Sequence, residues 1–213
     1  ALKSVVDGDR VEYYPGYKEE VYLGDFEPAQ DPLGDMPILS GRAVVLIRPP
    51  ATTAHYHDAR SERIFSTLLD RISDAEDAFG IIVPRTAQQG SEIRKILENP
   101  LNFHILEQTV DGLDLIWNAD LVVGGGGTMN REAVLLGVPV YSIFTGPIGV
   151  IDQALAEEGR LQLVRRMEDV TNIKFEPRER THTETQMAHF KERSQHLVSM
   201  IVDSVLEVAR VEI

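Results

Sequence analysis

The sequence predicts an α/β fold built on a parallel sheet of about six strands with helices on both faces. From Arg42 onward, short apolar runs alternate with amphipathic stretches, which is the order expected where right-handed crossovers join parallel strands. The apolar runs, such as Ala43–Ile47 and Phe79–Val83, are continuous, as they are in strands that are buried on both faces of a sheet.

The individual elements follow from apolar periodicity and from glycine positions. The strands are predicted at Ala43–Ile47, Phe79–Val83, Asn102–Leu106, Asp120–Val123, Val138–Phe144 and Leu161–Val164. The helices are predicted at 60–72, Ser91–Leu97, Leu113–Asn118, Thr128–Leu136 and Ile151–Glu158. Ile64, Leu68 and Ile72 have the helical spacing that indicates the first of these helices. Gly137 and Gly159 follow the last two helices, and glycine commonly ends a helix.

Two segments flank this core and divide the chain into three expected parts. Residues 1–41 are rich in turn-forming proline and glycine, and we interpret them as a linker packed on the domain formed by residues 42–180. Residues 181–213 are expected to form a helical tail. The aromatic residues expected to anchor the linker are Tyr13, Tyr14, Tyr17, Tyr22 and Phe26.

Composition excludes several classes of function. The net charge of −13 disfavours nucleic acid as a partner. The absence of cysteine excludes disulfides and thiolate metal sites and agrees with a cytoplasmic location. No apolar run approaches the roughly 18 residues of a membrane span, so insertion into a membrane is not expected.

The run Gly124–Gly127 is the strongest functional signal, because it joins a buried strand to a helix. Glycine lets a ligand approach the backbone, and the helix start offers unpaired N–H groups to an anion. We therefore predict that Gly125, Gly126, Gly127, Thr128 and Met129 contact ligand phosphates. A tight turn without a ligand is the alternative. The patterns of dinucleotide-binding and P-loop sites do not fit the run.

Arg48 and Arg85 each follow a predicted strand, as the glycine run does. The carboxyl ends of parallel strands share one edge of a sheet, and ligands bind there. The planar guanidinium group donates two hydrogen bonds to a phosphate at once. Each arginine considered alone is best interpreted as a solvated surface charge. Their joint placement in an acidic chain, however, predicts a phosphate site.

Two acids are candidates for contacts with sugar hydroxyls. Glu132 lies one turn into the helix after the glycine run, where it either accepts hydrogen bonds from a ribose or only complements the helix dipole. Asp152, with Gln153, follows the fifth strand and either binds a sugar or starts a helix.

A metal site is not predicted. His55 and His57 form a pair, but the sequence offers no further ligand, and contact of His55 or Tyr56 with a phosphate is the better reading. Asp7 and Asp9 match the acidic pair of metal-dependent sugar transferases, yet they lie in the leader. No organic cofactor is predicted either.

The stretch Gly124–Gly137 resembles the prokaryotic domain-of-unknown-function family 354, which is related to GT-B glycosyltransferases and to UDP-N-acetylglucosamine 2-epimerases. The same resemblance extends over most of the chain, from about Tyr13 to Leu161. It includes the segments Tyr17–Leu23, Ile47–Ala51, Val83–Thr86 and Val150–Gly159.

The resemblance implies that this chain is the C-terminal, Rossmann-like half of a GT-B-like fold and binds a UDP-sugar-like nucleotide sugar. It implies that the glycine run binds the diphosphate, that Glu132 binds the ribose, and that the base lies near Leu106. Catalytic groups would come largely from an N-terminal domain, and no catalytic residue is predicted in this chain.

These implications leave two hypotheses about function. The first is the donor-binding domain of a glycosyltransferase or sugar epimerase, inactive without its N-terminal domain. The second is a nucleotide-binding or interaction module without turnover. The chain begins with Ala1, which we interpret as the start of a fragment, and an exposed face left by a missing domain would allow a homodimer or exchange of C-terminal helices.

Overall fold

The structure is a computed structural model that describes residues 13–29, 34, 41–51, 58–179 and 183–211. These residues form two compact units. The smaller unit takes the described parts of Ala1–Glu27 and Glu179–Ile213, and the larger takes those of Pro28–Arg178. The boundaries expected at residues 41 and 180 stay predictions. His55, Tyr56, His57, Asp7 and Asp9 lie outside the described residues.

The larger unit contains a six-stranded parallel sheet, which confirms the predicted fold class. Its strands are β1 Ala43–Arg48, β2 Ala78–Ile82, β3 Phe103–Ile105, β4 Leu121–Gly124, β5 Val140–Ser142 and β6 Gln162–Leu163. Across the sheet they lie in the order β3-β2-β1-β4-β5-β6. The chain order reverses between β1 and β4, and such a switch point opens a crevice at the carboxyl ends of the strands.

Helices connect these strands. In chain order they are α2 Ala59–Asp74, α3 Ala87–Ile96, α4 Gly112–Asn118, α5 Thr128–Leu135 and α6 Val150–Glu157, after the short α1 Glu20–Leu23 of the smaller unit. Side chains cap the first three of the connecting helices: Asp58 accepts from Arg60 N, Thr86 from Gln89 N, and Asp111 from Leu113 N. Each cap satisfies an N–H group that has no partner within its helix.

Some boundaries differ from the sequence prediction for local reasons. Helix α3 begins at Ala87 rather than Ser91, because Thr86 caps it. Strand β5 begins at Val140 rather than Val138, whose N–H instead bonds Ala133 O at 2.9 Å in the turn after α5. A 3-10 helix, Met167–Asn172, follows β6.

The core of the larger unit lies between the sheet and its helices. The central strands β1 and β4 are buried along almost their whole length. Ile64, Leu68 and Ile72 of α2 belong to the same buried apolar cluster as residues of these strands. Asp120, just before β4, is buried and accepts hydrogen bonds from Val44 N and Arg178 N, both at 2.7 Å. This carboxylate fixes the edge of the sheet opposite to the carboxyl ends of the strands.

The smaller unit packs α1 against α7, Thr183–Val211. Arg193 Nε donates to Glu20 Oε1 at 3.0 Å, and Leu23 and Leu197 are buried. Phe26 is buried, whereas Tyr13, Tyr14 and Tyr22 are partly exposed, and the anchoring role expected of these aromatic residues stays a prediction. No helix in the described part of the chain has both the length and the apolarity needed to span a membrane.

Candidate functional site

A cavity of about 680 Å³ lies at the carboxyl ends of the central strands. Its lining residues are Arg48, Arg85, Gly125, Gly126, Gly127, Thr128, Met129, Glu132, Phe144, Pro147 and Asp152. The predicted residues Arg48, Arg85, Glu132 and Asp152 and the predicted segment Gly125–Met129 are all among them, whereas Gln153 is not. The structure therefore brings the predicted set together, while the binding role of these residues stays a prediction.

The sheet itself sets this convergence. Arg48 is the last residue of β1 and is paired in register with Gly124, the last residue of β4. The pairing continues one residue further, because Gly125 N donates to Arg48 O at 2.9 Å. Arg85 follows β2, which pairs with β1 on its other side. Three parallel strands thus deliver two guanidinium groups and the glycine run to the same edge.

Glycine is needed at the positions of the run for different structural reasons. A Cβ on Gly125 would lie 2.7 Å from Pro50 Cα, so this glycine permits close backbone packing. Gly126 and Gly127 have φ angles of +93° and +97°, a region that L side chains rarely adopt. Around Gly127, no heavy atom of another described element lies within 4 Å of the position that a Cβ would take. The loop is therefore open toward the cavity at Gly127.

The start of helix α5 presents unpaired donors to this opening. Its N-cap, Gly127, has no side chain with which to cap it. Among the described residues, the N–H groups of Gly126, Gly127 and Thr128 have no hydrogen-bond acceptor. Such groups, together with the helix dipole, give the site a partial positive charge.

The two arginines reinforce that charge. Arg48 Nη1 donates to the carbonyl oxygens of Val83 and Pro84 at 2.9 and 3.0 Å, and Arg85 Nε donates to Pro49 O at 3.3 Å. Neither guanidinium has a carboxylate partner within the described ranges. Burial lowers the pKa of Arg48, and the charge of Arg85 lowers it further. The carbonyl oxygens orient these groups but leave their charges uncompensated.

The acids of the site differ in their surroundings. Arg131 Nη1 lies 3.1 Å from Asp152 Oδ1, and both side chains are only 16% exposed. Glu132 lines the cavity from the next position on α5. Gln153 is exposed and donates to Glu157 Oε1 at 3.0 Å, and it is not a lining residue.

Sequence reasoning missed Phe144, Pro147 and the ion-pair partner Arg131. Phe144 ends the fifth predicted strand, which is a signal that could have placed it at the same edge as Arg48. Its position is fixed from two sides, because Arg165 Nη1 donates to Phe144 O and Thr145 N donates to Ser61 Oγ, both at 3.0 Å. The wall of the cavity formed by Phe144 is thus held by hydrogen bonds to other elements.

A second cavity, of about 720 Å³, adjoins the first and shares Arg48, Arg85 and Met129 with it. It extends along the segment after β3, where Leu106 and Glu107 line it. The resemblance described above implies the base near Leu106, and the structure places that residue on the far side of the arginines from Asp152.

Solved structures with a similar fold include UDP-GlcNAc 2-epimerases. The enzyme from Methanocaldococcus jannaschii is 14% identical with a TM-score of 0.55, over 78% of this chain and 47% of that chain. The enzyme from Neisseria meningitidis, solved with UDP-GlcNAc bound, is 17% identical with a TM-score of 0.51, over 80% of this chain and 45% of that one. At this identity the similarity establishes the fold.

A longer protein is similar to this chain in sequence. An uncharacterized protein of Methanocaldococcus jannaschii is 25% identical over 127 residues, which are 60% of this chain and 36% of that protein. The chain thus spans less than half the length of this relative and of each epimerase above. The model of the family described as "Protein of unknown function (DUF354)" matches residues 5–210, almost the whole sequence, and the chain therefore belongs to that family.

Proposed function

We propose that this chain binds the diphosphate of a UDP-sugar-like nucleotide sugar, as the donor-binding part of a protein that transfers or epimerises the sugar. The observation that carries the proposal is the convergence on one cavity of positive groups that have no carboxylate partner among the described residues. Arg48, Arg85 and the open start of α5 meet there, in a chain whose net charge is −13.

The arginines support an anionic ligand on energetic grounds. Two like charges that are close enough to influence each other, with Arg48 half-buried, raise the free energy of the empty site. An anion bound between the two arginines would attract both of them, and this attraction would offset their mutual repulsion. Charge-assisted hydrogen bonds to such a group contribute about 1.5–3 kcal/mol each. A diphosphate offers enough oxygen atoms to engage both guanidinium groups and the α5 amides.

The arrangement of the two cavities supports a ligand with two arms. The cavities meet at Arg48, Arg85 and Met129, where the diphosphate would lie. In the proposed pose the base extends toward Leu106, Glu132 accepts hydrogen bonds from the ribose, and the sugar extends toward Asp152. The bound UDP-GlcNAc in the Neisseria meningitidis epimerase supports this choice of ligand class, because that enzyme shares the fold.

We expect the chain alone to bind this ligand without turning it over. More than half of each similar epimerase has no counterpart in this chain. Within the described lining of the cavity expected to hold the sugar, the acids are Glu132 and Asp152, and Asp152 is already paired with Arg131. Acid–base groups for the sugar would then come from the part of the protein that has no counterpart here.

The test is calorimetric titration of the chain with UDP, UDP-GlcNAc, GDP and NAD. We expect UDP-GlcNAc to bind, with an affinity that falls as salt is added, and we expect no product from the chain alone. A ligand at 100 times its Kd also raises the free energy of unfolding by about 2.7 kcal/mol. If UDP binds and the sugar adds no affinity, the hypothesis of a nucleotide-binding module without turnover would be favoured. Unchanged binding in a variant carrying both Arg48→Gln and Arg85→Gln would refute the proposed site.

A further inference from the structure

The Arg131–Asp152 ion pair joins the N-terminal part of α5 to the first turn of α6 at the wall of the cavity. The atoms Nη1 and Oδ1 are 3.1 Å apart, and each side chain is 16% exposed. Asp152 lines the cavity, whereas Arg131 does not. The pair is therefore well shielded from solvent, and only its acidic member faces the ligand space.

Stability of α5 does not explain an arginine at this position. A positive charge near the N-terminus of a helix opposes the helix dipole. Arg131 is the fourth residue of α5, directly before Glu132. An acid would suit the start of the helix better, whereas the ion pair with Asp152 on α6 gives an arginine a role at this position.

The partner keeps one oxygen atom for other contacts. Asp152 Oδ1 accepts from Arg131, but Asp152 Oδ2 has no hydrogen-bond partner among the described residues. A carboxylate held in this way has a fixed orientation and a free acceptor for a hydroxyl group. Its charge is balanced by Arg131, so it opposes an incoming diphosphate less than an unpaired carboxylate would.

We propose that Arg131 is a positioning residue that enables the cavity to distinguish a nucleotide sugar from the bare nucleotide. It acts through Asp152, by orienting that carboxylate toward the hydroxyl groups of the sugar and by compensating its charge beside the diphosphate. The inference rests on the proposed function and specifies how the same site selects a neutral sugar.

The experiment measures the affinities for UDP and for UDP-GlcNAc in the wild type, Arg131→Gln, Asp152→Asn and the double variant. We expect Arg131→Gln to weaken the binding of UDP-GlcNAc at least tenfold and the binding of UDP by a smaller factor. Only the sugar needs an oriented Asp152. In the Asp152→Asn background the same change should have less than a twofold effect. Arg131→Lys, which keeps the charge, should restore most of the affinity for UDP.

The matched control is Arg160→Gln, which removes an exposed arginine–glutamate pair at the other end of α6, where Nη1 and Glu158 Oε2 are 3.5 Å apart. It should change neither affinity. Equal losses for the two ligands, or an undiminished effect in the Asp152→Asn background, would show that Arg131 acts only on structure. If the wild-type chain gains affinity from the sugar and Arg131→Gln keeps that gain, this inference alone is overturned. A chain that binds neither ligand overturns the proposed function with it.

Discussion

The amide of Asn130 fills the space that a β-carbon on Gly124 would need, with Oδ1 as the nearest atom. Asn130 is fully buried in the first turn of α5, and neither amide atom has a hydrogen-bond partner within the described part of the chain. Gly124 ends β4 and begins the glycine run. The contact therefore fixes where the helix start lies relative to the sheet.

Gly124→Ala should destabilise the fold, because the new methyl group cannot enter without displacing Asn130. Forcing an extra carbon into a filled interior costs about 1–3 kcal/mol, which denaturant unfolding measures. The control is Gly112→Ala at the start of α4, where a Cβ would meet no atom of the other described residues within 4 Å. Equal stability of the two variants would contradict the steric argument.

Glu132→Ala should abolish discrimination between UDP and 2′-deoxy-UDP while leaving the fold intact. A carboxylate that accepts a hydrogen bond from the 2′-hydroxyl contributes about 1.5–3 kcal/mol, so the wild type should prefer UDP by tenfold or more. Titration of both nucleotides into both proteins tests this expectation. If the variant keeps the wild-type preference, Glu132 does not bind the ribose.

Arg85→Gln should lower the affinity for UDP about 10- to 100-fold without lowering the stability of the fold, since the change removes a charge-assisted hydrogen bond to phosphate. Removal of one of two like charges also relieves the repulsion that lowers the pKa of Arg48. Calorimetry and denaturant unfolding of the same samples separate the two effects. Arg166→Gln, which removes an exposed pair with Asp169, is the control and should alter neither quantity. A loss of stability in Arg85→Gln would indicate a structural role for this arginine.

Asp120→Ala should lower stability by about 1–3 kcal/mol, because it leaves two backbone donors, Val44 N and Arg178 N, without their acceptor. The affinity for UDP should stay unchanged, since Asp120 precedes β4 and the cavity lies beyond the other end of that strand. Thermal unfolding with and without UDP measures both effects. Asp70→Ala, exposed on α2, serves as the control. A large change in affinity would mean that the two edges of the sheet are coupled.

The sequence alone was enough to predict the sheet and the edge at which the candidate site lies. Continuous apolar runs specify buried parallel strands, and parallel strands place their carboxyl ends together. That rule put Arg48, Arg85 and the glycine run at one edge, and Glu132 and Asp152 followed from their positions on the next helices. All of them line one cavity.

Tertiary structure decided which side chains meet once these elements are packed. Arg131 and Asp152 are 21 residues apart, and their pairing depends on how α5 and α6 lie side by side. The packing of Asn130 against Gly124 depends on the angle between a helix and a strand. Local periodicity reports only which face of an element is buried, because it records the backbone repeat of a single segment. Contacts between segments depend on distances and angles that arise only when the whole core is assembled.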